Sequence, residues 1–204
     1  MMNKVTEVMV VFQNIGEKRG QILKAAAKIF AEEGYYKAKI ADIANAAGMG
    51  KGTIYEYFSS KKELFQQLLV QIFNSYLDML GKIVKEEPTL GDFIERLCSE
   101  SFEYFQNQRE IASIFLHDHP SIDASTKQLF ISLHNERLQC VIDYLEKAKQ
   151  KGEMRDDISP WLASALLTGF IETIGHIFFY RGGEVNLGET VKQAKDIILN
   201  GLSN

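Results

Sequence analysis

The sequence predicts an all-α protein of about nine helices. Apolar residues recur at spacings of three and four along nearly the whole chain of 204 residues, which is the periodicity of one face of an α-helix. No segment shows the sustained apolar–polar alternation of a half-buried strand, and no internal repeat is visible. Three prolines and 15 glycines do not suit a disordered or fibrous chain. We therefore expect a globular helical protein.

Three helices are predicted before residue 60. The first ends at Gly34, because glycine readily adopts the positive φ that closes a helix. Its apolar stripe consists of Ile22, Leu23, Ala26, Ile29 and Phe30. The second helix is expected at about 39–46 and the third at about 50–58.

Capping signals predict the boundaries of the helices that follow. Ser60 and Glu63 have the spacing of a capping box, in which Ser60 bonds the Glu63 N–H and Glu63 returns to the N–H of Ser60. The long helix that begins there ends before Pro88, and Thr89 with Asp92 predicts a second capping box. The remaining helices are predicted at about 90–107, 109–117, 126–151, 160–181 and 189–202.

Cysteine usage and hydropathy indicate the compartment. Cys98 and Cys140 are too few for a disulfide framework or a structural zinc site, which favours a reducing environment. The apolar run at 8–12 is too short for a signal peptide, and the most apolar stretch, 161–180, is interrupted by polar residues. We expect a soluble, cytoplasmic protein with no membrane span. Nucleophile-elbow, phosphate-loop and dinucleotide motifs are absent, so neither an enzyme nor a cofactor is predicted.

Charge is unevenly distributed along the chain. Residues 18–65 carry nine Lys/Arg and five Asp/Glu, whereas residues 66–204 carry thirteen and twenty. A basic N-terminal module on an acidic body suggests that one end of the protein meets a polyanion. The net charge of −4 does not exclude nucleic acid as the partner, because affinity depends on a local patch.

Residues 39–64 contain the one constellation with a specific functional meaning. Small Ala44 allows two helices to cross closely, and Gly48 can take the positive φ of the turn between them. The helix that follows is rich in glycine and in hydrogen-bonding side chains. Its distinctive residues are Gly50, Lys51, Gly52, Thr53, Tyr55 and Tyr57. A simple αα-corner would not need such a helix, whereas a helix that approaches phosphates and base edges would.

At these residues the sequence resembles the TetR (tetracycline-repressor) family of bacterial transcriptional regulators. The match covers about residues 19–69. Its motifs are Ile22-Leu23-x-Ala25-Ala26-x-x-x-Phe30, Gly34-Tyr35, Ile43-Ala44-x-x-Ala47-Gly48, Gly50-Lys51-Gly52-Thr53-Ile54-Tyr55-x-Tyr57-Phe58 and Lys61-x-Glu63-Leu64. The resemblance implies an N-terminal extension at 1–16, a helix-turn-helix DNA-binding domain at 17–62, and a ligand-binding and dimerisation domain at 63–204. It implies a repressor that binds a palindromic operator in double-stranded DNA as a homodimer and is released by a small apolar effector.

When the roles of family residues are transferred to the matching positions of this chain, the resemblance implies three kinds of DNA contact. They are base or phosphate contacts in the major groove by Lys51 and Thr53, phosphate contacts by Tyr55, Tyr57 and Lys61, and close main-chain approach at Gly50 and Gly52. Ile54 and Phe58 are expected in the core.

The chain departs from the family at the start of the second helix. The family usually has Ser or Thr where this chain has Ala38 and Lys39. The change removes a hydroxyl cap worth about 1 kcal/mol and adds a cation at the positive end of the helix dipole. Because a bound phosphate would reverse that penalty, we predict that Lys39 contacts DNA. The alternative is that Lys39 is simply solvated.

The C-terminal body is rich in aromatic residues, with fifteen of the 22 at or after Phe65. Most are expected in the core, and some at an apolar effector cavity. The candidate ligand-binding residues are Phe102, Phe105, Phe115, Phe170, Glu172 and His176. Glu172 and His176 share a helix face, so they could pair with each other, hydrogen-bond a ligand or contribute to a metal site. Two ligands do not make a metal site, and none is predicted. Fatty acyl groups, their coenzyme A thioesters and cationic drugs all remain plausible effectors.

The helix at 161–180 is apolar on nearly all sides, with Ala165 and Gly169 as a small-residue pair. The resemblance implies that this helix and the last one pack against their two-fold mates in a dimer, which would place two recognition helices about one DNA turn apart. Two other classes stay open. One is a regulator without a small-molecule effector, whose body binds a partner protein or only dimerises. The other is a helical enzyme or metal carrier around Glu172, His176 and the histidines at 117 and 119, which leaves residues 50–58 unexplained.

Overall fold

The computed structural model describes residues 16–86, 88–107, 123–181 and 186–202, and these residues form eight α-helices without a strand. The helices are α1 (Glu17–Lys37), α2 (Ile40–Ala46), α3 (Lys51–Tyr57), α4 (Lys61–Lys85), α5 (Leu90–Asn107), α6 (Ala124–Gln150), α7 (Pro160–Arg181) and α8 (Leu187–Leu202). The predicted all-α class is confirmed. The ninth predicted helix, at 109–117, and the extension before Gly16 lie outside the described residues.

The chain forms two compact units. The described part of the first comprises residues 16–75, 107 and 123–130, and that of the second comprises residues 76–86, 88–106, 131–181 and 186–202. Helices α4 and α6 each contribute residues to both units. Among the described residues, no helix is both long and apolar enough to cross a bilayer.

The first unit is built on the apolar face of α1. The five residues of its predicted stripe are all buried, because three- and four-residue spacing brings them to one side of the helix. Phe30 packs edge-on against Phe65 of α4, with ring centroids 5.0 Å apart. Arg19 lies with its guanidinium carbon 4.7 Å from the centre of the Phe58 ring. Through these contacts α1 packs against the start of α4 and against the residue that follows α3.

Helix α1 is interrupted at Gly34, where the sequence predicts its end. Gly34 has φ 74° and ψ 162°, a combination that is essentially restricted to glycine. The Ala38 N–H donates to the Gly34 carbonyl at 3.2 Å and closes the segment. The turn beyond the glycine keeps helical hydrogen bonding, so α1 extends to Lys37 with a kink at the predicted stop.

Replacing Gly34 with alanine is expected to lower the free energy of unfolding by about 1–3 kcal/mol, because the new side chain must adopt a strained backbone conformation. Gly81 provides the matched control. It lies inside α4, and a Cβ added to it would have no other atom within 4 Å, so Gly81→Ala is expected to stabilise the protein by about 0.5–1 kcal/mol. Urea unfolding followed by circular dichroism checks both signs. Equal effects of the two substitutions would contradict the backbone argument.

The capping residues explain where helices begin, and they correct the predicted capping box at Ser60. Ser60 Oγ accepts from the Glu63 N–H at 3.0 Å as predicted, but the Glu63 carboxylate returns to the Ser59 N–H at 2.8 Å rather than to Ser60. This hydrogen bonding, led by the Ser59 side chain, lowers the pKa of Glu63. The capping box therefore covers residues 59–63 rather than the predicted 60–63.

Two helices begin earlier than predicted because an Asx residue caps them. Asp123 Oδ1 accepts from the N–H groups of Ser125 and Thr126 at 3.0 and 3.2 Å, so α6 begins at Ala124 rather than Thr126. Hydrogen bonds from Ser125 and then Lys62 hold the pKa of Asp123 far below its usual range. Asn186 Oδ1 accepts from the Glu189 N–H at 3.2 Å, and α8 begins at Leu187. Asp and Asn are strong N-caps, so this signal was readable in the sequence.

The second unit packs around stacked aromatic rings. Phe93 and Tyr144 lie with ring centroids 3.7 Å apart, and the Tyr144 hydroxyl donates to the Pro88 carbonyl at 2.8 Å. The Thr89 hydroxyl accepts from the Asp92 N–H at 3.2 Å, as predicted, but the Asp92 carboxylate accepts from the Thr89 hydroxyl at 2.6 Å rather than from the Thr89 N–H. Cys98 is fully buried, and its burial raises its thiol pKa to about 12, so it packs as a core residue.

Candidate nucleic-acid interface and effector-binding body

Helices α2 and α3 form the helix-turn-helix that the sequence predicts. Gly48 has φ +66° in the turn between them, and the Met49 N–H donates to the Ala44 carbonyl at 2.9 Å. The apolar side chains of this motif are buried in the core and fix the position of both helices. These anchors are Ile40, Ile43, Ala44, Ile54 and Phe58. The predicted core placement of Ile54 and Phe58 is confirmed.

The outer face of α3 carries the predicted contact residues. Gly50, Lys51, Gly52 and Tyr55 are exposed, while Thr53 and Tyr57 are partly exposed. The Lys51 ammonium lies 5.9 Å from the centre of the Tyr55 ring. Nothing lies within 4 Å of a Cβ built on either glycine, so the main chain of this short helix is open to a partner. This face therefore presents the Lys51 ammonium, three hydroxyl groups and accessible backbone, while Ile54 on the opposite side is buried.

The segment before α2 adds further exposed groups. Lys39 occupies the N-cap position of α2 without a side-chain cap hydrogen bond, so the predicted loss of the hydroxyl cap is confirmed. Lys39 and Lys37 are exposed, and Tyr36 is 62% exposed. Tyr36 was not among the predicted contact residues. The signal for it is its position between the helix stop at Gly34 and two lysines.

Lys61 has a different environment from the one expected of a phosphate contact. Its ammonium donates to the carbonyl oxygens of Tyr35, Tyr36 and Ala38 at 2.8, 3.2 and 3.0 Å. It also lies 4.7 Å from the centre of the Tyr35 ring. The side chain is thus engaged by the protein itself, in the position where the resemblance implies a contact with DNA.

The second unit contains a charged cluster that only partly matches the predicted ligand residues. Glu172 forms an ion pair with Arg137 of α6, whose side chain is only 4% exposed. His134 Nδ1 lies 3.8 Å from the same carboxylate oxygen. Arg137 was not predicted, although the sequence contains a signal for it. It lies four residues after Leu133 and four before Val141, two residues that are buried on the same helix.

The neighbouring polar groups come from other helices of the same unit. The Tyr76 hydroxyl of α4 and the Ser101 hydroxyl of α5 are hydrogen-bonded at 2.7 Å, and both side chains are buried. The Arg137 guanidinium carbon lies 5.9 Å from the centre of the Tyr76 ring. Among the residues that the structure describes, no group of three His, Cys, Asp or Glu side chains is placed to hold a metal ion.

The other predicted ligand residues are placed as follows. Phe102 is buried, and its ring centroid lies 6.3 Å from that of Phe170. His176 is partly buried. The side chain of Phe105 and the whole of Phe115 lie outside the described residues.

The environment of His134 is expected to make the free energy of unfolding depend on pH. Burial, and then the charge of Arg137, lower its pKa to about 4 from 6.5, and Glu172 opposes the shift. Between these pH values the unfolded chain binds a proton that the folded protein does not, so stability is expected to fall as the pH drops from about 6.5 to about 4. Thermal unfolding of the parent and of His134→Gln across this window checks it. An equal fall in thermal stability with decreasing pH in both proteins would show that other groups cause the effect.

An open apolar groove of about 590 Å³ lies between α7 and α8. Its main lining residues are Leu162, Leu166, Leu167, Phe170, Ala194 and Ile197. Leu166 is 63% and Ile197 71% exposed, and neighbouring Trp161 is 60% exposed. Although α7 is apolar on nearly all sides, part of its surface is therefore exposed in a single chain. One face of α7 is an apolar surface that a monomer leaves in water.

A helix-turn-helix on buried apolar anchors, whose second helix exposes a lysine, hydroxyl groups and bare backbone, is typical of a DNA-binding transcriptional regulator. The model of the family described as "Bacterial regulatory proteins, tetR family" matches residues 22–68, the region of this motif. Over this region, which contains the whole helix-turn-helix, the chain is similar to the TetR family of regulators.

Sequence relatives match most of the chain, and solved structures have the same fold over most of it. The transcriptional repressor KstR2 of Rhodococcus jostii is 28% identical over 195 residues, covering 92% of each chain. The fatty acid degradation regulator FadR of Bacillus halodurans superimposes with a TM-score of 0.81 at 22% identity, over 91% of this chain and 96% of that one. FadR of Bacillus subtilis, solved in complex with stearoyl-CoA, also has a TM-score of 0.81, at 21% identity over 89% and 97%.

Proposed function

We propose that this chain is a ligand-responsive repressor of transcription that binds a palindromic operator as a homodimer in the cytoplasm. In this proposal residues 17–62 bind DNA, while residues 63–204 bind the effector and dimerise. The observation that carries it is the outer face of α3, where Lys51, Gly52 and Tyr55 are exposed above the buried Ile54. A helix held in this way can enter the major groove without losing its packing.

The proposed DNA contacts follow from exposure and chemistry. Lys51 and Thr53 reach base edges or adjacent phosphates, Tyr55 and Tyr57 donate hydroxyl hydrogen bonds to phosphates, and Gly50 and Gly52 allow close main-chain approach. Lys39 contributes a phosphate contact from the start of α2. The complete set is Lys39, Gly50, Lys51, Gly52, Thr53, Tyr55 and Tyr57.

Selection of the purified protein on random-sequence DNA tests the DNA-binding part of the proposal. An enriched palindrome with half-sites about one helical turn apart is expected from a two-fold dimer. Lys51→Ala is expected to weaken binding to the selected site, whereas Lys28→Ala, which removes the same charge from an exposed position of α1, is expected to bind like the parent. Weak binding without an enriched sequence would overturn sequence-specific repression.

Lys39→Ala is expected to reduce the salt slope of operator binding by about one unit, since one phosphate contact releases about one counterion. The affinity should be measured between low and moderate salt for the parent, Lys39→Ala and Lys28→Ala. A slope for Lys39→Ala equal to that of the parent would mean that Lys39 is a solvated residue.

The apolar face of α7 and α8 is the proposed dimer interface. Its exposed residues, Trp161, Leu162, Leu166 and Ile197, are large side chains whose burial against a second copy would be favourable. Two-fold pairing of this face would also bring two DNA-binding units into one particle, which a palindromic site requires.

The proposed effector is a long-chain acyl thioester of coenzyme A. The relative crystallised with stearoyl-CoA has the same fold over most of its length, and the body of this chain is rich in buried aromatic and aliphatic side chains. The charged cluster argues against a cationic drug, because Glu172 already pairs with the buried Arg137. We propose that this pair lies at the polar end of the acyl site, where Arg137 would attract a carbonyl or an anionic group.

Release of labelled operator by stearoyl-CoA tests the effector class. A coupling of about 1–3 kcal/mol predicts a roughly 5- to 150-fold loss of operator affinity, with little effect of free coenzyme A. Glu172→Gln is expected to change the concentration of stearoyl-CoA that releases DNA, whereas Glu136→Gln, at an exposed position of α6, is not. Equal operator affinity with and without the thioester would reject this effector and leave DNA binding intact.

A further inference from the structure

Lys61 connects α4 to the segment that leads into the helix-turn-helix. Its ammonium group has three N–H donors and no acceptor, and three carbonyl oxygens, those of Tyr35, Tyr36 and Ala38, lie within 3.2 Å of Nζ. The cation also lies over the face of the Tyr35 ring. These contacts match the full donor capacity of the side chain.

The three carbonyl groups lie at the end of a helix, where backbone acceptors lack intrahelical partners. Gly34 breaks α1, and the N–H groups four residues beyond these carbonyls belong to the start of α2. One of them, that of Asp42, donates to the Lys39 carbonyl at 3.1 Å instead. A cation at a helix C-terminus satisfies such carbonyls and is favoured by the helix dipole.

The clamped segment leads directly into the proposed DNA-contacting region. Ala38 is 2% exposed, and Lys39 follows it as the N-cap of α2. Any shift of the 35–38 backbone would therefore move Lys39 and the first helix of the helix-turn-helix. Lys61 itself begins α4, so the clamp joins α4 to the entry of the DNA-binding motif.

We infer that Lys61 is a positioning residue, which clamps the 35–38 segment through three carbonyl groups and thereby sets the presentation of Lys39 and α2, rather than a phosphate contact. The clamp itself is a property of the free protein. Only its consequence for operator binding rests on the proposed function.

Lysine labelling of the unaltered protein provides the first test. After brief acetylation and mass spectrometry, Lys61 is expected to react at least about tenfold more slowly than Lys51 in the free protein, because its donors are engaged. Addition of operator is expected to protect Lys51 and Lys39 and to leave the rate at Lys61 unchanged. Labelling of Lys61 as fast as Lys51, with protection by operator, would overturn the inference.

Amide hydrogen exchange of two matched variants provides the second test. Lys61→Met keeps the aliphatic stem but removes the donors, and Lys62→Met makes the same change at the next residue, which pairs with Asp123. Exchange of the amides of residues 38–46 is expected to accelerate about tenfold or more in Lys61→Met and to stay unchanged in Lys62→Met, because the clamp opposes local opening. Unchanged exchange in Lys61→Met would contradict the clamp.

The two tests separate the possible failures. If Lys61→Met does not fold, as judged by circular dichroism, the labelling of the unaltered protein decides between the clamp and a phosphate contact. If the protein binds no specific operator, the labelling rates and the exchange data of the free protein still decide whether the clamp exists. Failure of the proposed function and failure of the clamp are therefore distinguishable.

Discussion

Replacing Glu172 with alanine is expected to lower the free energy of unfolding by about 1.5–3 kcal/mol, since the Arg137 guanidinium loses a charged hydrogen-bond acceptor. The charge left behind is that of Arg137, whose side chain is 4% exposed. The reverse change, Arg137→Met, is expected to cost less. It leaves a carboxylate that is 33% exposed and can be hydrated. Urea unfolding followed by circular dichroism measures both values.

The double variant Arg137→Met/Glu172→Leu provides the control for this asymmetry. Replacing both partners with apolar side chains of similar size is expected to recover most of the lost stability, because no charge then remains buried. A double variant as unstable as Glu172→Ala would show that packing, rather than the lost contact between the guanidinium and the carboxylate, accounts for the loss of stability.

Replacing Phe58 with alanine is expected to destabilise the first unit by about 3–5 kcal/mol, the range for removing a fully buried phenyl ring. Phe58 is 1% exposed and follows the last residue of α3, and Arg19 lies against its ring. The substitution therefore removes an anchor of the recognition helix together with a cation–π contact. Thermal and urea unfolding measure the loss.

Two further variants identify the cause of that loss. Phe58→Leu keeps most of the apolar volume and is expected to cost less than about 1.5 kcal/mol. Tyr55→Ala truncates a ring on α3 that is itself 46% exposed. The resulting loss of unfolding free energy is expected to stay below about 1 kcal/mol. A cost for Tyr55→Ala similar to that of Phe58→Ala would contradict the assignment of one ring to the core and the other to the surface.

Local features of the helices were predictable because they depend on residues close in sequence. The apolar stripe of α1, the interruption at Gly34 and the caps at Ser60 and Thr89 each involve residues within about two turns of one another. The starts of α6 and α8 were predicted too late, although Asp123 and Asn186 carry a local signal for them. The return of Glu63 to Ser59 rather than Ser60 depends on backbone geometry that a sequence motif does not specify.

The candidate DNA interface was predictable to the same extent. The glycines, hydroxyls and cation of α3 are consecutive in the chain, and the buried positions of Ile54 and Phe58 follow from their spacing. Tyr36 was missed because exposure of a ring beside a helix stop depends on how the kinked segment packs. The charged cluster around Glu172 was only half predicted, since its partner Arg137 is on another helix.

The helices, the helix-turn-helix and the resemblance to the TetR family were predictable without coordinates, because periodicity, caps and a compact motif are properties of neighbouring residues. The partners of the charged groups and of the carbonyl groups at helix ends were not predictable in this way, because they come from distant parts of the chain. Lys61 reaches the carbonyl of Tyr35, 26 residues earlier in the chain, and Glu172 meets Arg137, 35 residues earlier. Such pairings depend on the packing of whole helices, since a long cationic side chain takes whichever acceptors the folded chain brings within hydrogen-bonding distance.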